Sequence, residues 1–401
     1  MLQKNSNLSG IMVAEAISLA SHSVHLCLAQ YTCALHVVRG KQSTSVLHEV
    51  QAKIGAAIVV CFAVCIMFSG CSKEEEPHDD DKGSNWVHGT AGYDIYVSGL
   101  NSEGYATYWK NGVAHVNKNR NGGAYIDITV SDGDVYTLGV YDHCYYKNNK
   151  EVAALGYGGG EPLSIAVSNG VVHVASSTTY WKNGAPTNHP MNYTVSTTSK
   201  IAVSGNNAYI AGDAWHDNTY VAAYWKNGTV YNVGKPKDGS FRARTYANSI
   251  FVSGNDVYMA GSKTVEDWMG ILGSFWVPCY WKNNTEIILP SSGDYYNQDA
   301  IGIIVSPDGN VHVLGNIGEA WKNPNGTTSG VNYAYYWKNG AQSMLPVAGR
   351  AYSFAVAGND VYMAVQDNFD YSKFYLIKNG QPIAFESGAR IFAVTAAPKG
   401  K

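Results

Sequence analysis

The chain has 401 residues, of which 45% are hydrophobic and 12% aromatic, enough to build a large core. Only 15% are charged and the formal net charge is -3, which argues against a polyanion-binding surface and excludes nucleic acid as the expected partner. The seven cysteines do not form a disulfide framework: Cys27, Cys33, Cys61, Cys65 and Cys71 stand before the repeated region, and only Cys144 and Cys279 lie within it.

In chain order, residues 1–50 show neither a repeat nor a sustained period, and they read equally as an extension or as a misplaced start. From Ile54 to Gly70 an apolar run follows Lys53 and ends in Phe68-Ser69-Gly70-Cys71. A short apolar segment between a basic residue and small residues has the pattern of a secretory signal, and it is too short and poorly flanked for a membrane span. The ending resembles the lipobox of bacterial lipoproteins. That resemblance implies that Cys71 is diacylated and becomes the mature N-terminus; an uncleaved signal anchor is the alternative.

Ser72 to Ser84 is dense in like charge and has no apolar side chain to bury, so it reads as a solvated tether. Its acidic cluster, Glu74 to Glu76 and Asp79 to Asp81, resembles the surface-export signal of lipoproteins in one group of Gram-negative bacteria. The resemblance implies an outer-membrane location facing outward, against the alternative of a plain spacer. The expected division is therefore 1–70 as extension and lipoprotein signal peptide, 71–91 as acidic flexible tether, and 92–401 as one repeat domain.

The repeat is Tyr224-Trp225-Lys226-Asn227-Gly228, found again at Tyr108 to Gly112, Tyr180 to Gly184 and Tyr336 to Gly340. Worn copies stand at Tyr145 to Asn149, Tyr280 to Asn284 and Leu376 to Gly380. Apolar residues running into Asn-Gly are a hairpin signal, because a type I′ turn needs positive φ at both central positions. Upstream of most copies lies a second hairpin signature, clearest in Ile250 to Gly261 and recurring at Ile128, Ile165, Ile201, Ile303 and Phe354. Each unit thus reads as a meander of four antiparallel strands, a to d, with Tyr-Trp closing strand c. A period of roughly 35 to 55 residues belongs to stacked or radially repeated units.

The phase of the repeats points to a ring. Asp94 to Gly99 aligns with strand b, so the first unit lacks a strand a, and Arg390 to Val394 aligns with strand a and is followed by nothing. A closed ring uses this offset to pair its two ends in one sheet. On these residues the chain resembles seven-bladed β-propellers, an all-β fold of radial sheets. The Gly-His and Trp-Asp signature of WD40 proteins and the glycine pair of kelch proteins are absent, so the resemblance is to the architecture alone. Cys144 and Cys279 take the same place in units too far apart to be bridged, and both are expected as free thiols.

In such a meander the a–b and c–d turns share one end, and here they are short and uniform. The b–c connections (Asp213 to Tyr220, Ser262 to Pro278, Asn316 to Ala334, Gln366 to Lys373) share the other end with the d–a connections, and that end carries most of the length variation. Function concentrates on variable loops held by a rigid frame. Those loops carry the candidate ligand-binding residues Trp215, His216, Arg242, Arg244, Trp268, Trp276, Tyr295, Tyr296, Trp321, Tyr333, Phe369 and Tyr371. Exposed rings offer flat apolar faces to sugars or protein anchors, and arginine adds directional hydrogen bonds; the plainer reading is that several of them plug the mouth of the ring. Trp321-Lys322-Asn323 is expected to be a loop imitation of the repeat, whereas Trp109, Trp181, Trp225, Trp281 and Trp337 repeat in register and are expected in the core.

No catalytic or metal-binding spacing is visible. His143, His173, His189, His216 and His312 are scattered, and His173 and His312 fall at a packed strand-b position. Asp134, Asp256 and Asp360 sit in tight turns and are expected to cap their own backbone. The sequence reads as a lipid-anchored, monomeric binding module for a glycan or a protein, with no cofactor. An enzyme acting on polysaccharide or peptidoglycan is the alternative, since a propeller assembles its site from distant loops, and a structural subunit of an envelope complex is a further one.

Overall fold

A computed structural model describes residues 90–156, 160–187, 200–234, 244–266, 274–291, 297–322, 328–343 and 347–400. Two compact units divide the chain, Met1–Asp81 and Lys82–Lys401, and every described residue belongs to the second. The extension, the signal segment, Cys71 and the tether as far as residue 89 lie outside the described residues.

The described chain forms seven antiparallel sheets of four strands, and Val347–Ala348 adds a short fifth to one of them. Blade 1 joins Arg390–Pro398 to Tyr93–Leu100, Tyr105–Lys110 and Val113–Asn121. Blades 2 to 7 open on Tyr125–Ser131, Pro162–Ser168, Ile201–Ser204, Thr245–Ser253, Asn297–Val305 and Arg350–Ala357. These opening strands, a in each blade, contact one another in a closed cycle, so they surround an axis from which the sheets radiate. The fold is a seven-bladed β-propeller, and its closure is the one the repeat phase anticipates. Arg390–Pro398 pairs antiparallel with Tyr93–Leu100 from Tyr93 opposite Pro398 to Leu100 opposite Arg390. Thr90 Oγ1 pins the seam further by donating to Asp360 Oδ2 at 2.7 Å, and the Lys399 N–H donates to the Gly92 carbonyl at 2.9 Å.

The repeated pentapeptide does more than turn the chain. Asn111, Asn148, Asn183, Asn227, Asn283, Asn339 and Asn379 all have φ between 47° and 53°, and in six copies the next residue is also at positive φ, Asn284 being the exception. In all seven, Asn Oδ1 also accepts an N–H of strand b at 2.8–3.0 Å. The Asn backbone N–H returns to the carbonyl of that same strand-b residue. In six copies Nδ2 donates to the preceding Asp or Asn at 2.7–2.9 Å. Each Asn thereby clasps the c–d turn to the a–b turn.

This corrects the expectation for Asp134, Asp256 and Asp360. Rather than capping their own backbone, they receive this Asn and the adjacent lysine: Lys147 at 2.6 Å, Lys282 at 3.0 Å and Lys378 at 2.9 Å. Hydrogen bonds from Lys147 and Asn148 hold the Asp134 carboxyl below the usual range. The lysines also lie over strand-b tyrosine rings, as Lys282 does over Tyr258 at 5.4 Å.

Trp109, Trp181, Trp225, Trp281 and Trp337 are fully buried, and all but Trp225 belong to clusters shared by two blades. His173 and His312 are packed imidazoles, with Nδ1 2.6 Å and 2.5 Å from the hydroxyls of Tyr180 and Tyr336. Burial pushes both below the ordinary histidine value, His173 to about 4. Cys144 and Cys279 are buried and free, and burial pushes both thiols up.

Strand a is a sheet edge facing the axis, and an open edge invites unwanted pairing. Here the edge is broken by a bulge at the same place in six blades, leaving Ile126, Leu163, Asn248, Ile301, Tyr352 and Phe392 half-buried. Next to the bulge, side chains of one blade satisfy strand-a N–H groups of another. Asp127 accepts from Ile165, Ser164 from Ile201, Ser249 from Ile303 and Ser353 from Val394, at 3.0–3.4 Å.

Candidate functional site

The rim with the long connections differs from the expectation in one respect. Three of the four b–c connections read as loops are continuations of strands b and c, standing beyond the sheet as paired hairpins. In blade 4 the pairing runs on to His216 opposite Thr219, with Asp217 and Asn218 at φ 49° and 63° in the turn. Blade 5 pairs as far as Glu266 opposite Ser274, and blade 6 as far as Lys322 opposite Thr328. Trp321 is therefore no loop imitation of the repeat: its backbone sits on strand b of blade 6, opposite Ser329. The blade 7 connection is a true loop, in which Asp367 Oδ1 accepts the N–H groups of Phe369 and Asp370 at 2.8 and 2.9 Å.

Two of the candidate residues are brought together by two that sequence reading missed. Trp215 packs edge-on against its cross-strand partner Tyr220 at 4.9 Å, Tyr220 stacks on Tyr246 of the next blade at 6.1 Å, and Tyr246 meets Trp276 at 4.9 Å. A row of four rings thus spans blades 4 and 5, with Trp215 46% exposed and the other three half-buried. The signal for Tyr220 lay in its place directly across a two-residue turn from Trp215. For Tyr246 there was no such signal, since it reaches the row from strand a.

Arg244 has its backbone fixed beside this row, its N–H donating to Thr264 Oγ1 at 2.7 Å while its side chain is exposed. His216 lies at the blade 4 tip with Nε2 3.0 Å from Asp217 Oδ2. Tyr333 is elsewhere, half-buried against the core between blades 5 and 6, and burial pushes its phenol up. Phe369 and Tyr371 stand out from the blade 7 loop, 83% and 72% exposed. Arg242, Trp268, Tyr295 and Tyr296 lie outside the described residues.

The mouth of the axis is formed by the residues that open the strands a. Asp299, Arg350 and Arg390 stand there, each at the place of Tyr246 in its blade relative to the bulge. In three of these four blades a glycine stands opposite the bulge, and Val365 takes that place in the blade of Arg350: a Cβ on Gly261 would lie 1.8 Å from the Tyr246 carbonyl oxygen, and one on Gly99 would lie 1.9 Å from that of Arg390. Part of Asp299 reaches solvent, but protein surrounds its carboxyl, and this desolvation pushes it up to about 6 against the downward pull of Arg350. Among the described residues no group of three or more His, Cys, Asp or Glu side chains is placed to hold a metal ion.

No protein-family model matches the chain, and no curated protein matches it. Among solved structures, a mutant of Trypanosoma rangeli sialidase displaying trans-sialidase activity is similar over 59% of this chain and 43% of its own, at 10% identity and a TM-score of 0.33. The GH43 endo-arabinanase of Bacillus licheniformis is similar over 67% of this chain and 97% of its own, at 11% identity and a TM-score of 0.28. An alpha-L-arabinanase of Penicillium chrysogenum complexed with arabinobiose is similar over 76% of this chain and 85% of its own, at 11% identity and a TM-score of 0.33. This chain spans less than half the length of the sialidases it matches. Likenesses at these TM-scores carry no argument about activity, and the ring of seven blades stands on its own strand pairings.

Proposed function

We propose that the propeller is a binding module that recognises a glycan through its decorated rim. The row Trp215, Tyr220, Tyr246 and Trp276 carries this reading. A tryptophan that is 46% exposed, on a hairpin beyond the sheet, adds little to the core. A strip of flat apolar faces, with the exposed Arg244 two residues before Tyr246, suits sugar rings, which offer C–H faces and hydroxyls together. Calorimetric titration of residues 82–401 with a broad polysaccharide panel tests it. The expected result is saturable binding that Trp215→Ala or Trp276→Ala abolishes, with the melting temperature of Trp215→Ala unchanged. Silence across the panel, with a protein captured at the same rim, would move the site to protein recognition.

A second reading is favoured by Asp299. A carboxyl that keeps its proton to about pH 6 at the opening of a strand a has the property a general acid requires. Release of new reducing ends from the same panel, lost in Asp299→Asn, would make the protein an enzyme on polysaccharide. As for location, the proposal is a lipid anchor on Cys71 in the outer membrane. Cys71→Ser is expected to lose palmitate labelling, and protease treatment of intact cells is expected to remove the propeller.

A further inference from the structure

We infer that the mouth between blades 7 and 1 is a subsite for the carboxylates of an acidic glycan, held by Arg350 and Arg390 beside a platform of Tyr352, Phe374 and Phe392. The inference rests on the glycan-binding reading above and adds the charge class of the ligand.

The three rings form one cluster. Phe374 lies 5.6 Å from both Tyr352 and Phe392, and Tyr352 and Phe392 are 6.2 Å apart, all three half-buried. Tyr352 is oriented by a hydrogen bond from its hydroxyl to Gln366 Oε1 at 2.9 Å. The Arg350 guanidinium lies over the Tyr352 ring at 5.8 Å. Arg390 stands two residues before Phe392 as Arg350 stands two before Tyr352, in adjacent strands a with the same bulge, so the two arginines take equivalent backbone positions at the edge of one ring cluster.

Both arginines are exposed, and neither makes an ion pair among the described residues, whereas Lys110, Lys147, Lys282 and Lys378 of the repeated clasp are each paired to an aspartate. The neighbouring carboxylates are engaged. Asp367 and Asp370 accept N–H groups of their own loop, and Glu386 accepts from Ser102 and from Trp109 Nε1. Asp299, which Arg350 pulls downward, is desolvated and keeps its proton to about pH 6. Exposed planar guanidinium groups beside aromatic rings match carboxylates in a fork geometry.

The test compares oligogalacturonate with the neutral galacto-oligosaccharide of equal length, on residues 82–401, at low and high salt. Wild type is expected to bind the acidic chain at least about tenfold more tightly, with a preference that salt weakens. Arg350→Gln with Arg390→Gln is expected to remove the preference and its salt dependence while the protein keeps a cooperative melt. Equal binding of the two oligosaccharides, unaltered in the double variant, would overturn this inference and leave the rim reading standing, as would a preference for the acidic chain that the double variant retains. Absence of binding to either, together with silence across the wider panel, would bring down both.

Discussion

At Asn227 the backbone is held at φ 47° while the side chain accepts the Ala208 N–H at 3.0 Å and donates to Asn207 at 2.7 Å. Conformational permissiveness and hydrogen bonding are thus separable at one position. Asn227→Gly keeps the turn and deletes the clasp, so its expected destabilisation in urea is about 1–3 kcal/mol, the cost of orphaning a strand-edge N–H. Asn227→Ala should cost a further ~1–2 kcal/mol for left-handed strain. Asp299 gives a pH-dependent counterpart. Its carboxyl is raised from 3.8 to about 6 in the folded protein, so the native state binds more protons between those values, and stability falls as pH rises through that window. At roughly 1.4 kcal/mol per pH unit, Asp299→Asn is expected to exceed wild type by about 2–3 kcal/mol at pH 7 and to match it below pH ~4. A constant difference across chemical melts from pH 4 to 8 would contradict the desolvated carboxyl.

Among elements, the strand-a bulge links the scaffold to the rim. Gly261 leaves room for the Tyr246 carbonyl, and Tyr246 bridges Tyr220 to Trp276. Gly261→Ala places a methyl group against backbone, so the bulge must move. The expected outcome is a loss of about 1–3 kcal/mol, together with a change in near-ultraviolet dichroism as the ring row is broken. The projecting hairpins had partial signals: Asp217-Asn218 between Trp215-His216 and Thr219-Tyr220 is a two-residue turn flanked by strand formers. The pattern reads as loop because the hairpin stands outside the repeat, where no second copy supports it. The blade 6 hairpin is further held by blade 7, where Asn368 accepts the Asn332 N–H and donates to its carbonyl at 2.8 and 2.9 Å.

For the molecule as a whole, the ring depends on its last strand. A chain ending at residue 389 loses Arg390–Pro398 and leaves Tyr93–Leu100 as an open apolar edge. Its expected behaviour is aggregation on size exclusion and loss of a cooperative melt, with partial rescue by a peptide of residues 389–401; a monomeric, cooperatively melting product would contradict closure as the source of stability. Blade number, meander and the place of the buried tryptophans were legible in the residues alone, because each is written several times and a repeat averages out local ambiguity; the offset that zips the ends follows from the phase of those same repeats. The residues alone also located the rim of long connections. Folding alone brings Trp215 and Trp276 together through Tyr220 and Tyr246, lays Arg350 over Tyr352 in a cluster with Phe374 and Phe392, and points the turn aspartates toward the neighbouring hairpin. Those contacts join residues from different strands and blades, and their distances are set by ring closure and bulge position, neither of which leaves a periodic trace in the chain.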